Sequence, residues 1–395
     1  MPDNVKSKIA NSRLRRFEKR KGLFTVGMGL DLPFLTLMFV ILVVGLIMMF
    51  SASYAIAYYE TGDSYFYLFS QLKFAGLGLV GMLALSFFNY RQLHKLAMPI
   101  LLIAYIALIA VLILPGQDGG TVKRWLPLGF VDIQPSEIAK FALILFLAHY
   151  GSKYLNKMQS IKYGVLPQVV LMGSMGGLLV LEPHFSCMAI IALLTVVMMF
   201  VSGTDWRWIV GGIVAMVAAV LLIWMFAPDV LSYAQSRLDG WGMALNPDAD
   251  RDAVWQTRNS IYAIGSGGFW GLGLGGSRQK YLYLPEPQND FIFAIVCEEL
   301  GMIGAVLILI LFAVFVWRGM IISLKADDKF GKLLGIGLMS QIGLQVIMNV
   351  LVITDLMPNT GISLPFFSYG GSSLIMLMLQ MGLVLSISRT SNIEK

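Results

Sequence analysis

Asp290 closes the densest polar stretch of this 395-residue chain, the run Gly271-Leu-Gly-Leu-Gly-Gly-Ser-Arg-Gln-Lys-Tyr-Leu-Tyr-Leu-Pro-Glu-Pro-Gln-Asn-Asp290, and an apolar segment begins directly after it. A carboxylate at the edge of an apolar region is partly desolvated, which raises its pKa and improves it as a general base. Asp also caps helix N-termini well, and that plainer role stays open. The glycines before it allow positive φ and close approach of backbone to a ligand. Their N–H groups, with Arg278 and Lys280, could cradle an anion such as diphosphate, or the run could be only a loop.

Other polar residues lie inside apolar runs, where an ionised side chain costs roughly 2.5–3.5 kcal/mol. Glu137 and Lys140 are three apart, share a helix face and can pair; the pair could fix its helix or form a charged cavity wall. Gln341, Gln345 and Asn349 recur every fourth residue and so lie on one face, turned toward other helices or a wet cavity. Glu298 and Glu299 follow Asp290 two turns deeper and need partners. The two cysteines, Cys187 and Cys297, lie in or beside apolar runs with no repeated spacing, so they point to packing rather than to a disulfide or metal site.

The elements that must position these residues are membrane spans. The chain is 57% hydrophobic and 13% charged, with mean hydropathy +0.75; soluble domains carry roughly 25% charged residues. Apolar runs near 20 residues, enough to cross a hydrocarbon core of about 30 Å, are expected at 30–53, 68–88, 96–114, 134–150, 164–181, 187–202, 206–227, 291–317, 332–353 and 372–388. The expected fold is therefore all-α and integral to the membrane, with about ten transmembrane helices. With the N-terminus inside, 20 of the 29 basic residues fall in the N-terminal tail, the inner loops or the C-terminal tail, the positive-inside pattern. Both termini are then cytoplasmic. Residues 1–29 form a basic tail, expected to be disordered, whose +6 suits anionic lipid rather than nucleic acid. Residues 30–389 form the membrane domain, and 390–395 a second cytoplasmic tail. Two long connections, 115–133 and 228–290, face outward, the larger of them just before the eighth helix.

Three motifs in order then carry a resemblance. Leu284-Pro-Glu-Pro-Gln-Asn-Asp290-Phe-Ile-Phe-Ala-Ile-Val-Cys-Glu-Glu-Leu-Gly301 resembles the motif of the SEDS (shape, elongation, division, sporulation) family in which one Asp is catalytic. Arg124-Trp125, followed by Gln134-Pro-Ser-Glu137 and Lys140, resembles its outer loop and fourth helix. Pro358-Asn-Thr-Gly-Ile-Ser-Leu-Pro-Phe-Phe-Ser-Tyr-Gly-Gly-Ser-Ser373 resembles its C-terminal motif, with Gln345 and Asn349 upstream. The wording is closer to the FtsW/SpoVE branch than to RodA. Two positions depart from the family pattern: His184 stands where many members have Asp, and Asn289 where Thr is common.

The resemblance implies a peptidoglycan glycosyltransferase in the bacterial cytoplasmic membrane, acting on its extracytoplasmic side in septal or sporulation wall synthesis. It would polymerise lipid II into β-1,4-linked glycan by inverting attack, with Asp290 as general base and undecaprenyl diphosphate leaving. Arg124, Trp125, Glu137, Lys140, Arg278, Lys280, Gln345, Asn349, Ser368 and Ser372 would bind substrate. A divalent cation, Mg2+ or Mn2+, could assist departure of the diphosphate, although no residue pattern forms a dedicated metal cage. The implied partners are lipid II, undecaprenyl-linked glycan, a class B penicillin-binding protein and other division proteins, and no nucleic acid. The rivals are a lipid II flippase and a non-catalytic division scaffold. Against the flippase stand the lack of an inverted repeat and polar motifs gathered on the outer side rather than at mid-membrane.

Overall fold

The structure, a computed structural model, describes residues 29–114, 124–127, 132–214, 225, 238 and 240–391. The basic tail up to residue 28 and the last four residues lie outside them, as does most of the connection at 115–133.

Helix α1 (Leu32–Thr61) starts where Asp31 accepts the Phe34 N–H at 3.0 Å, with a proline in its first turn, and it ends at Gly62 in the left-handed conformation. Helix α2 (Phe66–Phe87) follows, then a 3₁₀ turn (Tyr90–Gln92) leading into α3 (Leu93–Ile113). A two-residue antiparallel hairpin, β1 (Leu126–Pro127) with β2 (Asp132–Ile133), delivers the chain to α4 (Pro135–Lys153). Helices α5 (Leu166–Leu181) and α6 (Phe185–Val201) form a hairpin joined by three residues. Residues 206–214 are helical, and the rest of the expected seventh span lies outside the described residues. Helix α7 (Arg251–Gly267) occupies part of the long connection, which the sequence suggested only as a loop. Helices α8 (Ile292–Leu324), α9 (Lys329–Ile353) and α10 (Gly371–Ser388) complete the chain.

Seven of these helical stretches are long and apolar enough to cross a membrane: α1, α2, Tyr90–Ile113, Ile161–Leu181, α8, α9 and α10. The chain is an all-α multi-pass membrane protein. In α9 and α10, 72% of the spanning residues are buried, against 22% to 39% in the other five, which makes α9 and α10 the centre of the bundle. Gln341, Gln345 and Asn349 accordingly face inward, all buried on α9. The rim helices turn large apolar side chains such as Leu102, Val170 and Leu307 outward, as a lipid-facing surface requires.

The two ends of the bundle differ in kind. At one end the start of α1 meets the ends of α8 and α10. Arg318 grips Asp31 with two nitrogens at 3.1 and 2.7 Å, and the Asp31 N–H donates to Ser388 Oγ at 3.3 Å. Asp328, between α8 and α9, accepts from Tyr90 Oη and Arg91 Nε, both at 2.7 Å. The opposite end gathers Arg124, the α5–α6 turn, Asp290 and the 354–370 segment.

Helix α8 is broken at Gly301, whose φ is 66°. The segment after α7 fills the break. Leu272 and Gly273 donate to the carbonyls of Glu298 and Glu299, both at 3.0 Å, while Met302 and Ile303 donate back to Gly268 and Phe269 at 2.8 and 3.2 Å. These four bonds replace the ones lost at the break, as a helix interruption among membrane helices demands. Only glycine fits at the crossing: a Cβ on Gly271 would stand 2.2 Å from the Glu299 oxygen.

Candidate active site

The residues just before α8 are fixed by their carbonyls. The Tyr369 N–H donates to Gln288 O at 2.8 Å, Ser368 Oγ to Asn289 O at 2.7 Å, and Asn349 Nδ2 to Asp290 O at 2.7 Å. Asn349 also donates to Ile362 O at 2.6 Å, and the Leu364 N–H donates to Ser368 Oγ at 2.7 Å. Asn349 and Ser368 therefore act on the backbone that carries Asp290. The C-terminal motif and the Asp290 motif are two halves of one mount.

Asp290 opens into a cavity of about 280 Å³ lined by Arg124, Pro183, Phe185, Leu238, Gln256 and the Pro358–Gly361 segment. Asn359 Nδ2 donates to Gln256 Oε1 at 2.7 Å, which ties the segment to α7. Gly361, with φ of 68°, passes close to the carboxylate. Arg124 sets one guanidinium nitrogen on Pro183 O at 2.6 Å and presents its charge to the cavity. A partly exposed carboxylate and a guanidinium thus share one small cavity. That combination can take a proton from a hydroxyl and neutralise an anion formed beside it.

The other expected site residues sit elsewhere. Trp125 is exposed on the hairpin and does not line the cavity. Glu137 and Lys140 pair at 2.7 Å, both buried in α4. Gln345 is buried on α9, with its carbonyl oxygen unpartnered among the described residues. Ser372 accepts the Gln134 N–H at 3.3 Å, which ties α10 to the start of α4. Arg278 is exposed, away from the cavity lining. Lys280 is buried against Glu299 at 2.8 Å. The Gly-rich run does cradle an anion, but an internal one: the N–H groups of Arg278 and Gln279 point at Glu298, at 3.0 and 3.3 Å, and Ser277 Oγ also donates to it.

Sequence reading did not single out Pro183, Gln256, Asn359, Thr360 or Gly361 as cavity residues. The Pro-Asn-Thr-Gly segment was visible inside the C-terminal motif, but nothing in its spacing shows that it folds back onto Asp290. Two loop groups near the cavity titrate abnormally. Burial pushes the Glu182 carboxyl up to about 8, against the opposing pull of Arg124. Burial, reinforced by Arg124 and Lys140, pushes His184 down to about 3, so its imidazole is neutral.

Fold and site together define a multi-pass α-helical membrane protein with a carboxylate and a guanidinium sharing a cavity at one end of its bundle. The cell cycle protein family of FtsW, RodA and SpoVE matches residues 32–393, and the chain belongs to that family. It is 38% identical over 369 residues to Stage V sporulation protein E of Bacillus subtilis, an alignment covering 91% of this chain and 97% of that one. It is likewise 38% identical over 363 residues to the probable peptidoglycan glycosyltransferase FtsW of Trichlorobacter lovleyi, covering 91% and 93% of the two chains. Among solved structures it resembles a chain from "Structural coordination of polymerization and crosslinking by a peptidoglycan synthase complex", with a TM-score of 0.75 at 26% identity, covering 93% of this chain and all of that one. The rod shape determining protein RodA of Thermus thermophilus gives a TM-score of 0.66 at 26% identity, covering 93% and 99%.

Proposed function

We propose that this protein polymerises lipid II into β-1,4-linked glycan at the extracytoplasmic face of the bacterial cytoplasmic membrane. The observation that carries the reading is the shared cavity of Asp290 and Arg124 in a chain whose relatives include proteins named peptidoglycan glycosyltransferases. Asp290 takes the proton of the acceptor N-acetylglucosamine 4-hydroxyl as its oxygen attacks the anomeric carbon of the donor N-acetylmuramic acid. The bond to the diphosphate oxygen breaks with inversion, and undecaprenyl diphosphate departs toward Arg124. The bonds from Asn349 and Ser368 hold the base in place during the transfer. Among the described residues no group of three His, Cys, Asp or Glu is placed to hold a metal ion, and no step here runs through one. The positive-inside distribution of Lys and Arg supports placing the cavity outside. The resemblance to a chain of a peptidoglycan synthase complex supports a crosslinking partner of the class B penicillin-binding type.

Polymerisation of purified lipid II, with and without that partner, tests the reading. Wild type should make glycan strands, and Asp290→Asn should lose at least about 100-fold in rate, the usual range for a general base. Normal strand synthesis by a folded Asp290→Asn protein would falsify the role of Asp290. Lipid II bound but never polymerised by wild type would turn the reading toward transport or scaffolding.

A further inference from the structure

The turn between α5 and α6 holds an unusual charge arrangement under the cavity wall. The Glu182 side chain is fully buried, and neither of its oxygens has a hydrogen-bond partner among the described residues. Arg124 leans on the next residue, Pro183, while its own Nε is buried and has no partner among the described residues. His184 shares the turn with Glu182, its Nδ1 3.9 Å from Glu182 Oε1 and so beyond hydrogen-bond reach, and Lys140, paired with Glu137 on α4, lies within electrostatic reach of His184. Cys187 on α6 also lies within electrostatic reach of Glu182, and Asp290 faces Arg124 across the cavity. Glu137 and Lys140 cancel each other at 2.7 Å. What remains on the turn side is Arg124 and a carboxyl that no donor stabilises among the described residues. A buried carboxyl in that position takes up a proton rather than keep its charge. Arg124 then presents its positive charge to the cavity, with Asp290 rather than Glu182 as the carboxylate facing it.

We propose that Glu182 couples anion binding at Arg124 to proton uptake at alkaline pH, where its carboxyl is still ionised in the free protein: as a diphosphate group settles on Arg124, Glu182 draws one proton from solvent and Arg124 exchanges one counter-charge for another. This rests on the reading of the cavity as a diphosphate site. Arg124 is the charge that favours the Glu182 carboxylate, and burial opposes it, holding the group near 8. An anion on Arg124 cancels that favour, so Glu182 holds its proton to higher pH. Below about 8 the acid is already neutral and the anion binds at full strength. Above that, the ligand must compete with an ionised Glu182, and its affinity falls by up to roughly tenfold per pH unit. Glu182 is thus a positioning residue, setting the charge that Arg124 offers without touching the reacting atoms.

The test is calorimetric binding of an isoprenyl diphosphate to the full-length detergent-solubilised protein. It is run from pH 7 to 9, in buffer pairs of different ionisation enthalpy, on wild type, Glu182→Gln and Arg124→Gln. Titration of the probe itself cancels between the proteins. Wild type should take up a proton beyond that seen with Glu182→Gln at the alkaline end and weaken steeply there. Glu182→Gln should bind tightly and evenly across the range, and Arg124→Gln should bind weakly throughout. Equal proton uptake and equal pH dependence in wild type and Glu182→Gln would overturn the coupling alone. Absence of binding to folded wild type would overturn it together with the diphosphate reading. Should Glu182→Gln not fold, infrared difference spectra of wild type decide: ligand at alkaline pH must raise a protonated-carboxyl band, and its absence overturns the proposal.

Discussion

A methyl group on Gly361 would stand 2.8 Å from Oδ2 of Asp290, closer than the carboxylate allows. Gly361→Ala should therefore displace the carboxylate while disturbing little else, since an alanine at positive φ costs only about 1–2 kcal/mol. Misplacing a reacting group by about 1 Å can cost roughly 100-fold, so lipid II polymerisation should fall by at least about tenfold while thermal unfolding shifts slightly. Ser368→Ala acts one bond further out. It leaves Asn289 O and the Leu364 N–H without their partner, a loss of about 1–3 kcal/mol per buried group, and should lower both unfolding temperature and rate. Glu182 adds a pH signature. Its folded pKa lies above the ordinary 4.5, so between about 4.5 and about 8 the native state binds the extra proton. Stability is then full at the acid end of that window and is lost as pH rises through about 8. The difference in thermal unfolding between wild type and Glu182→Gln across the window should carry that slope, since His184 contributes equally to both.

At the scale of the element, α8 is informative because it is not one helix. Its break at Gly301 is filled by the chain after α7, so the helix that begins just past Asp290 depends on a contact made far along the loop. Gly271→Ala, with its methyl 2.2 Å from Glu299 O, should undock that segment and cost about 1–3 kcal/mol or more, seen as a lower unfolding temperature in detergent. The sequence foretold parts of this. Nine of the ten expected spans coincide with helices, and in seven of them length and apolarity alone suffice to mark a crossing. The amides of α9 face inward as their four-residue spacing required. The Gly-rich run was legible as backbone able to bind an anion, but which anion was not. Glu298 lies about twenty positions further on, and nothing in its neighbourhood advertises that it will be the one held. Helix α7 escaped notice because its residues are too polar to read as a span. Glu182 escaped because a single acid between two spans has no pattern to betray it.

For the whole molecule, the division of labour between the two ends is the organising fact. One end carries the Asp290 cavity, and the other is bolted by Arg318 and Asp31, with the Asp31 side chain fully buried. Arg318→Ala strands that carboxylate and should cost roughly 3 kcal/mol, with little effect on substrate affinity because the cavity lies at the far end; unfolding temperature and substrate binding, measured together, check both halves. Joined ends also make the order of the helices partly negotiable. Since Asp31 and Ser388 touch, a short linker from residue 391 back to residue 29 would close the chain into a ring without crossing the bilayer. New ends opened in the Ser202–Asp205 turn after α6 would let the ribosome begin with the C-terminal half. Such a circular permutant would present Asp290 and its mount before α1 is made, in a protein whose finished bundle is the same.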